Sequence, residues 1–492
     1  MKTLKNIIIF FLLVTVSFSC EDFLDVNDDP DNPAVVALEL RLKPAILMAN
    51  GAALWRGMRE VMLVTQYGAS ESKGFSYETW KFTNRYFIWQ NTFVWAYPNA
   101  VDLIVLGEDQ NSPHFSGTGK ILKAYLLFLL SDQLGSIPYD DLYNGRAEPV
   151  LEPRFEDQQV IYEKCLALLD EAIVDLSSAD NDIDLNKRDG DIIYQGITEN
   201  WIKFAYALKA RALNHYTKKS SLYDTEAVIA ACANAFDGDG QDAEFPYDAS
   251  GSGTQKNPFS PGGYGDVHLL ANSYSNFFIS MLQASPLTND SIDPRLPIIT
   301  SPSDTGSVYR GIVSGMGTDT LKLWDYSPFQ GGFYTNGAST IPFITYSEVK
   351  FIEAEAKFRS ADLAGAKDAF KEGVLSNLRK LGVNALLIAE AATSIDALTD
   401  FDTKALHYIM TQKYIAIMLN PETWVDMRRM DYDSTIYPGL IQPAYVNNIF
   451  EEDEWIRALP YEYNEENRNP DNVPNNSPSV RLKTPVWWDV AE

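Results

Sequence analysis

The segment Tyr346–Arg359 (YSEVKFIEAEAKFR) carries apolar side chains on two opposite sides of one helix. Val349, Ile352 and Ala356 mark one face, and Phe351, Ala354 and Phe358 the other. At the helical step the two groups lie about 180° apart. Glu348 and Glu355 fall on one flank between them, Lys350 and Lys357 on the opposite flank. A helix apolar on two sides must be sandwiched between neighbours, so the chain is expected to stack its helices in layers. No regular 34-residue self-similarity and no tetratricopeptide consensus accompany this pattern.

Helical periodicity recurs over residues 35–50, 84–107, 117–134, 156–178 and 198–219, and again over Leu363–Leu381 and Thr403–Leu419. In the 198–219 run Trp201, Ala205, Leu208, Ala212 and Tyr216 form one stripe, which predicts a single buried face, with Thr198 as N-cap. Residues 237–344 differ, being rich in Gly, Pro, Ser, Asp and aromatics, with one helix expected near Asn272–Ala284. Loops of this length inside a compact chain are usually functional. Residues 430–492 read as irregular coil wrapped over the helices, with Trp487 and Trp488 docked, since an exposed Trp pair would be a liability.

The N-terminus bears on location. Lys2 and Lys5 precede an apolar run over Ile7–Val16, too short to span a bilayer and the length of a secretory signal. Ser19 stands directly before Cys20, which predicts a signal peptide over 1–19, lipidation of Cys20 and an acidic tether over 20–33. Residues 34–492 are expected to form one domain. A net charge of −27 argues against nucleic-acid binding and against electrostatic attachment to anionic lipid. Cys165 and Cys232 are expected as two buried thiols rather than a disulfide framework.

Catalytic and metal motifs are missing from the sequence. His114, His215, His268 and His407 stand in separate segments, without HExxH or paired Cys/His spacing. Gly117-Thr118-Gly119-Lys120 resembles the end of a phosphate loop, but His114 replaces its first glycine. Asp180, Asp182, Asp184, Asn186 and Asp191 echo a calcium loop, yet Leu185 takes the place of the turn glycine. A solvated acidic linker is the better reading, as it is for Asp237, Asp239 and Asp242. No cofactor, no metal and no catalysis are expected.

Aromatic side chains in polar loops are the stronger signal, because sugar rings stack their C–H faces on Trp and Tyr. Trp80, Trp324 and Tyr334 are the first candidates for such a platform, with Tyr77, Tyr264 and Tyr326 behind them.

Several segments resemble the SusD/RagB family of starch-binding-type outer-membrane lipoproteins. They are Lys120–Tyr139 (KILKAYLLFLLSDQLGSIPY), Asp191–Tyr216, Asp293-Pro294-Arg295-Leu296, Tyr346–Ala356, Gln412–Arg429 (QKYIAIMLNPETWVDMRR), Pro460–Pro470 and Trp487-Trp488, in the family's order. The acidic residues after Cys20 also resemble the surface-export signals of Bacteroidota-type lipoproteins. The resemblance implies a mostly α fold, with tetratricopeptide-like helix pairs as an α-α superhelical scaffold and a loop-rich irregular subdomain. It implies a non-catalytic cell-surface protein that captures oligosaccharide for a SusC-like TonB-dependent transporter. Peptide capture is the alternative within the family, and a surface glycoside hydrolase or a purely structural lid the alternatives outside that role. In the family the shared motifs are structural, so Glu348, Glu353, Glu355, Arg428 and Arg429 are expected to set packing and charge pairing. Gln412-Lys413-Tyr414 stands where family members often carry Glu-Arg, which predicts the loss of one ion pair.

Overall fold

The computed structural model describes residues 36–83, 87–147, 150–265, 269–284, 287 and 292–492. The expected signal peptide, Cys20 and the acidic tether lie outside the described residues. In chain order the helices are α1 (Leu42–Leu47), α2 (Trp55–Val61), α3 (Phe87–Gln90), α4 (Tyr97–Asp109), α5 (Pro113–Leu134), α6 (Gln158–Leu176), α7 (Thr198–Asn214), α8 (Thr225–Asn234), α9 (Asn276–Gln283) and α10 (Leu296–Ile299). They continue with α11 (Tyr346–Arg359), α12 (Leu363–Lys380), α13 (Ala385–Asp396), α14 (Phe401–Ala416), α15 (Glu422–Arg429), α16 (Tyr463–Arg468) and α17 (Pro478–Arg481). Widened π-helical turns over Met48–Leu54 and Asn91–Ala96 join α1 to α2 and α3 to α4.

The strands are short: β1 (Gly68–Ala69), β2 (Ile137–Pro138), β3 (Phe155–Glu156), β4 (Ala243–Phe245), β5 (Ser273–Tyr274) and β6 (Ile341–Ile344). They pair antiparallel as β1 with β5, β2 with β3 and β4 with β6, and so clip loops to the helices instead of forming a layer.

Helices pack in succession, α4 on α5, α5 on α6, α6 on α7, α7 on α8, α8 on α11 and α11 on α12 and α14. The fold is mostly helical, as expected. α11 is buried on both apolar faces, its Val349, Phe351, Ile352, Ala354 and Ala356 all in the core. Between those faces Glu348 meets Arg211 of α7 and Glu355 meets Arg429 of α15, while Lys350 and Lys357 both reach Glu353. The flank carboxylates that the sequence places side by side therefore become the charge pairs between layers.

Two local expectations are corrected. α7 begins at Thr198 with no side-chain cap, and Phe204, Ala207 and Ala210 are buried along with the predicted stripe, because α7 has neighbours on several sides. The phosphate-loop-like glycines lie inside α5, where a Cβ on Gly119 would come within 2.7 Å of the Ala100 carbonyl oxygen of α4. Those glycines serve close helix approach. The helix expected near Asn272–Ala284 is α9, and α13 was not foreseen.

Gln412 and Lys413, at the position where an ion pair was expected to be lost, both have polar partners. Arg295, fully buried, donates to Gln412 Oε1 at 2.6 Å and pairs with Asp293 at 2.7 Å, and Lys413 takes Asp426 at 2.7 Å. Trp488 is buried and Trp487 packs on Tyr162 and Tyr216. Cys165 and Cys232 are free and buried.

Candidate ligand groove

Three of the six aromatic candidates face inward. Trp80 has no exposed surface and packs between Phe450 and Trp455, with ring centres 5.1 and 5.3 Å away. It adopts a left-handed backbone (φ 57°), which turns the loop so that the indole enters the core. Tyr334 is buried, its hydroxyl between Asn377 and the Ala416 carbonyl. Tyr326 is buried with Ala69 and Ile312 and donates to the Thr318 carbonyl at 3.2 Å. These three anchor loops and cannot offer a ring face to a ligand. Tyr77 is half-buried against Phe75 and Phe82.

Tyr264 and Trp324 are the exposed members, at 46% and 56%. They stand on separate loops, and no ring contact between described residues joins them. Trp324 rides on a turn whose Asp325 accepts from the Lys322 amide at 2.8 Å and from the Thr305 hydroxyl.

Tyr264 belongs to a groove of about 250 Å³ that also involves Trp95, Asn91, Met48, Thr254 and Lys256. Both π-helical segments line it, one through Met48, Gly51 and Ala52 and the other through Asn91 and Trp95, and the two segments pack on each other. π-helical insertions occur disproportionately at functional sites. Trp95 is 42% exposed, whereas Trp89 of the same helical run is buried against Phe93, Phe155 and Tyr461. Sequence reading missed Trp95 because it falls inside an apolar helical run.

The groove floor is rigid. Tyr247 donates to Asn50 Oδ1 at 2.9 Å, and Asn50 donates to the Ile341 carbonyl at 2.8 Å. The opposite wall is the turn leading to Tyr264, whose amide donates to the Gly253 carbonyl at 2.8 Å. Asn257 pins that turn to Gly337 and Ser339, and Tyr264 meets Trp55 edge-on at 5.8 Å. Gly265 is required there, since a Cβ would lie 2.5 Å from the Trp55 ring. The result is one groove lined by two half-exposed rings, Trp95 and Tyr264, together with the hydroxyl of Thr254, the amide of Asn91 and the ammonium of Lys256.

Asp191 of the calcium-like run and the acidic residues of the second cluster are engaged in structural bonds. Asp191 accepts from the backbone of Ile193, Tyr194 and Gly196 and from the Trp201 indole. Asp237, Asp239 and Asp242 pair with Lys203, Arg379 and Lys380. Among the described residues Asp132, His215 and Glu422 lie close enough to share an ion, but all three are buried. Asp132 accepts from Trp488 and Tyr162, and His215 bridges Tyr162 and Glu422 at 2.7 and 2.9 Å. The cavity beside them is about 30 Å³, room for one water.

A mostly helical stack carrying an aromatic surface groove is the class that these features define. The chain matches over residues 47–449 the family of SusD-like proteins described as starch-binding and associating with the outer membrane, and it belongs to that family. No curated protein matches it in sequence. Among solved structures it is similar to a SusD/RagB family protein of Bacteroides thetaiotaomicron, at 21% identity and TM-score 0.75, over 93% of this chain and all of that one. A chitin-binding protein matches at 20% identity and TM-score 0.74, over 92% of this chain and 100% of the other. A chitin-binding SusD homologue from Flavobacterium johnsoniae matches at 19% and 0.71, over 91% and 98%. At these identities the structural matches establish the fold. No helix among the described residues is long and apolar enough to cross a membrane.

Proposed function

We propose that this protein is a non-catalytic outer-membrane lipoprotein, anchored through Cys20 and facing the cell exterior. It captures oligosaccharide at the Trp95–Tyr264 groove and delivers it to a SusC-like TonB-dependent transporter. The observation that carries this reading is the pair of half-exposed rings flanking Thr254, Lys256 and Asn91. Two stacking contacts of about 0.5–1.5 kcal/mol each favour an affinity low enough to release the ligand onward. Trp324 serves as a second, outlying contact for a longer chain.

A sugar suits the groove better than a peptide. The groove is lined by helical and loop residues and by no residue of a β-strand, so a peptide would find no strand edge there to pair with through its backbone. The kinship with chitin-binding proteins supports the same choice.

The test is native affinity electrophoresis of protein starting after Cys20 against a polysaccharide panel, with Trp95→Ala, Tyr264→Ala and Trp324→Ala alongside. Retardation by a glycan, lost in Trp95→Ala, is expected. Heat from peptides with no glycan retardation would replace this reading with peptide capture. Silence toward both would leave a structural lid.

A further inference from the structure

The groove departs from the charge of the rest of the chain. Acidic residues outnumber basic ones 67 to 40, yet the described residues lining the groove include Lys256 and no carboxylate. Lys256 has no hydrogen-bond or ion-pair partner among the described residues. Its ammonium lies on the turn that carries Tyr264, 3.9 Å from where a Cβ on Gly262 would stand.

A second cation waits at one end. Arg56 lies one helical turn past Ala52, its guanidinium 4.7 Å from the Trp55 ring centre and 4.8 Å from that of Phe87. Phe87 is half-exposed one turn before Asn91, and Trp55 touches Tyr264, so Arg56 lies beside the groove through these two rings without itself lining it. The residue is 8% exposed, its Nε is buried without a partner, and no ion pair reaches it among the described residues. Its leading charge neighbour is the buried Glu60, one helical turn on, whose Oε1 accepts from Arg59 at 3.2 Å and which makes no hydrogen bond to Arg56. A guanidinium with no hydrogen-bonded carboxylate keeps its fork of donors unmatched, and a planar carboxylate is the group that this fork fits best.

We infer that the groove takes an acidic oligosaccharide, a uronic-acid-containing chain whose rings stack on Trp95 and Tyr264 while its carboxylates meet Lys256 along the wall and Arg56 at the end. This rests on the glycan-capture reading above and narrows its ligand class. The fixed cations select among glycans. Neutral chains of the same shape keep the stacking and leave both cations unmatched.

The experiment is titration calorimetry of the protein starting after Cys20 with oligogalacturonate and alginate oligosaccharides, with the same preparations after carboxyl reduction, and with chitooligosaccharides. Each is run at low and high salt. The expected result is binding of an acidic oligosaccharide that weakens at least about tenfold on carboxyl reduction and falls with added salt. Lys256→Gln should lose most of that preference, read as the ratio of affinities for the native and the carboxyl-reduced chain. Arg56→Gln should do the same, and Arg56→Lys, which keeps the charge, reports whether the fold tolerates change there. Equal binding of native and reduced chains, or binding of chitooligosaccharides alone, would overturn the acidic-ligand inference and leave glycan capture standing. Binding of none of these sugars would overturn the acidic-ligand inference, and glycan capture falls with it where the polysaccharide panel is silent as well.

Discussion

Arg429 of α15 grips Glu355 of α11 with two parallel hydrogen bonds of 2.9 Å, and neither side chain has exposed surface. Asn214 of α7 donates to the same carboxylate at 2.8 Å, so one buried glutamate ties three helices together. Removing Arg429 leaves Glu355 with only Arg359 and Asn214, and Asp426 with only Lys413, so two buried carboxylates each lose a bonded partner. Arg429→Met should therefore destabilise the fold by about 3–5 kcal/mol, read as a fall in the urea midpoint at unchanged m-value. Replacing Glu355 and Arg429 together by apolar residues should cost less than either single change.

Buried carboxylates on opposite sides of their ordinary range separate the pH response into two windows. Arg429 and Arg359 hold Glu355 far below the usual carboxylate range, and His215 is the chief partner that holds Glu422 down at about 2. Their stabilisation is complete above the unfolded value near 4.5 and is lost as pH falls toward their folded values. Burial instead pushes the Glu78 carboxyl up to about 7. The folded chain keeps a proton there that the unfolded chain loses from about pH 4.5 upward. Stability therefore declines across pH 4.5–7 by at most about 1.4 kcal/mol per pH unit from this group. Chemical denaturation of wild type and Glu78→Gln at pH 5 and pH 8 should show a steeper decline in wild type.

The C-terminal coil is held by stacking on a cation. Arg428 lies 3.8 Å from the Trp424 ring centre and 4.6 Å from that of Trp488, and it donates to the carbonyls of Asp132 and Arg457. Trp488→Ala should cost about 3–5 kcal/mol, the range for a large aromatic lost from a core. Limited proteolysis should then cut first within the coil after Tyr432.

What could be read from the sequence was what repeats at helical spacing. The two-faced pattern of α11 identified its burial and put Glu348 and Glu355 on the flank where Arg211 and Arg429 now meet them. Loop aromatics have no such period. Trp80 and Trp324 sit in similar polar contexts, and only the left-handed turn at Trp80 and its distant partners Phe450 and Trp455 send one inward and leave the other outside. Trp95 escaped notice for the opposite reason. Its neighbours Ala96 and Tyr97 are core residues, and the π-helical turns over Asn91–Ala96 shift the phase that a regular helical wheel assumes. A Trp beside such a shift carries no sequence signal of the direction it faces.

Two tryptophans therefore test the ligand groove by contrast. Trp80 is packed on all sides, so Trp80→Ala should destabilise the protein by about 3–5 kcal/mol. Any loss of glycan retention in that variant should track the unfolded fraction. Trp95 loses little packing on truncation, so Trp95→Ala should leave the melting temperature within a degree or two of wild type. It removes one stacking face worth about 0.5–1.5 kcal/mol, which is roughly a 2- to 12-fold loss of affinity. Trp95→Phe should recover part of that loss because a smaller ring face remains. Calorimetry at a temperature where every variant is folded separates the two effects. A Trp95→Ala protein that binds like wild type would move the ligand surface away from this groove, with Trp324 as the remaining exposed indole among the candidates.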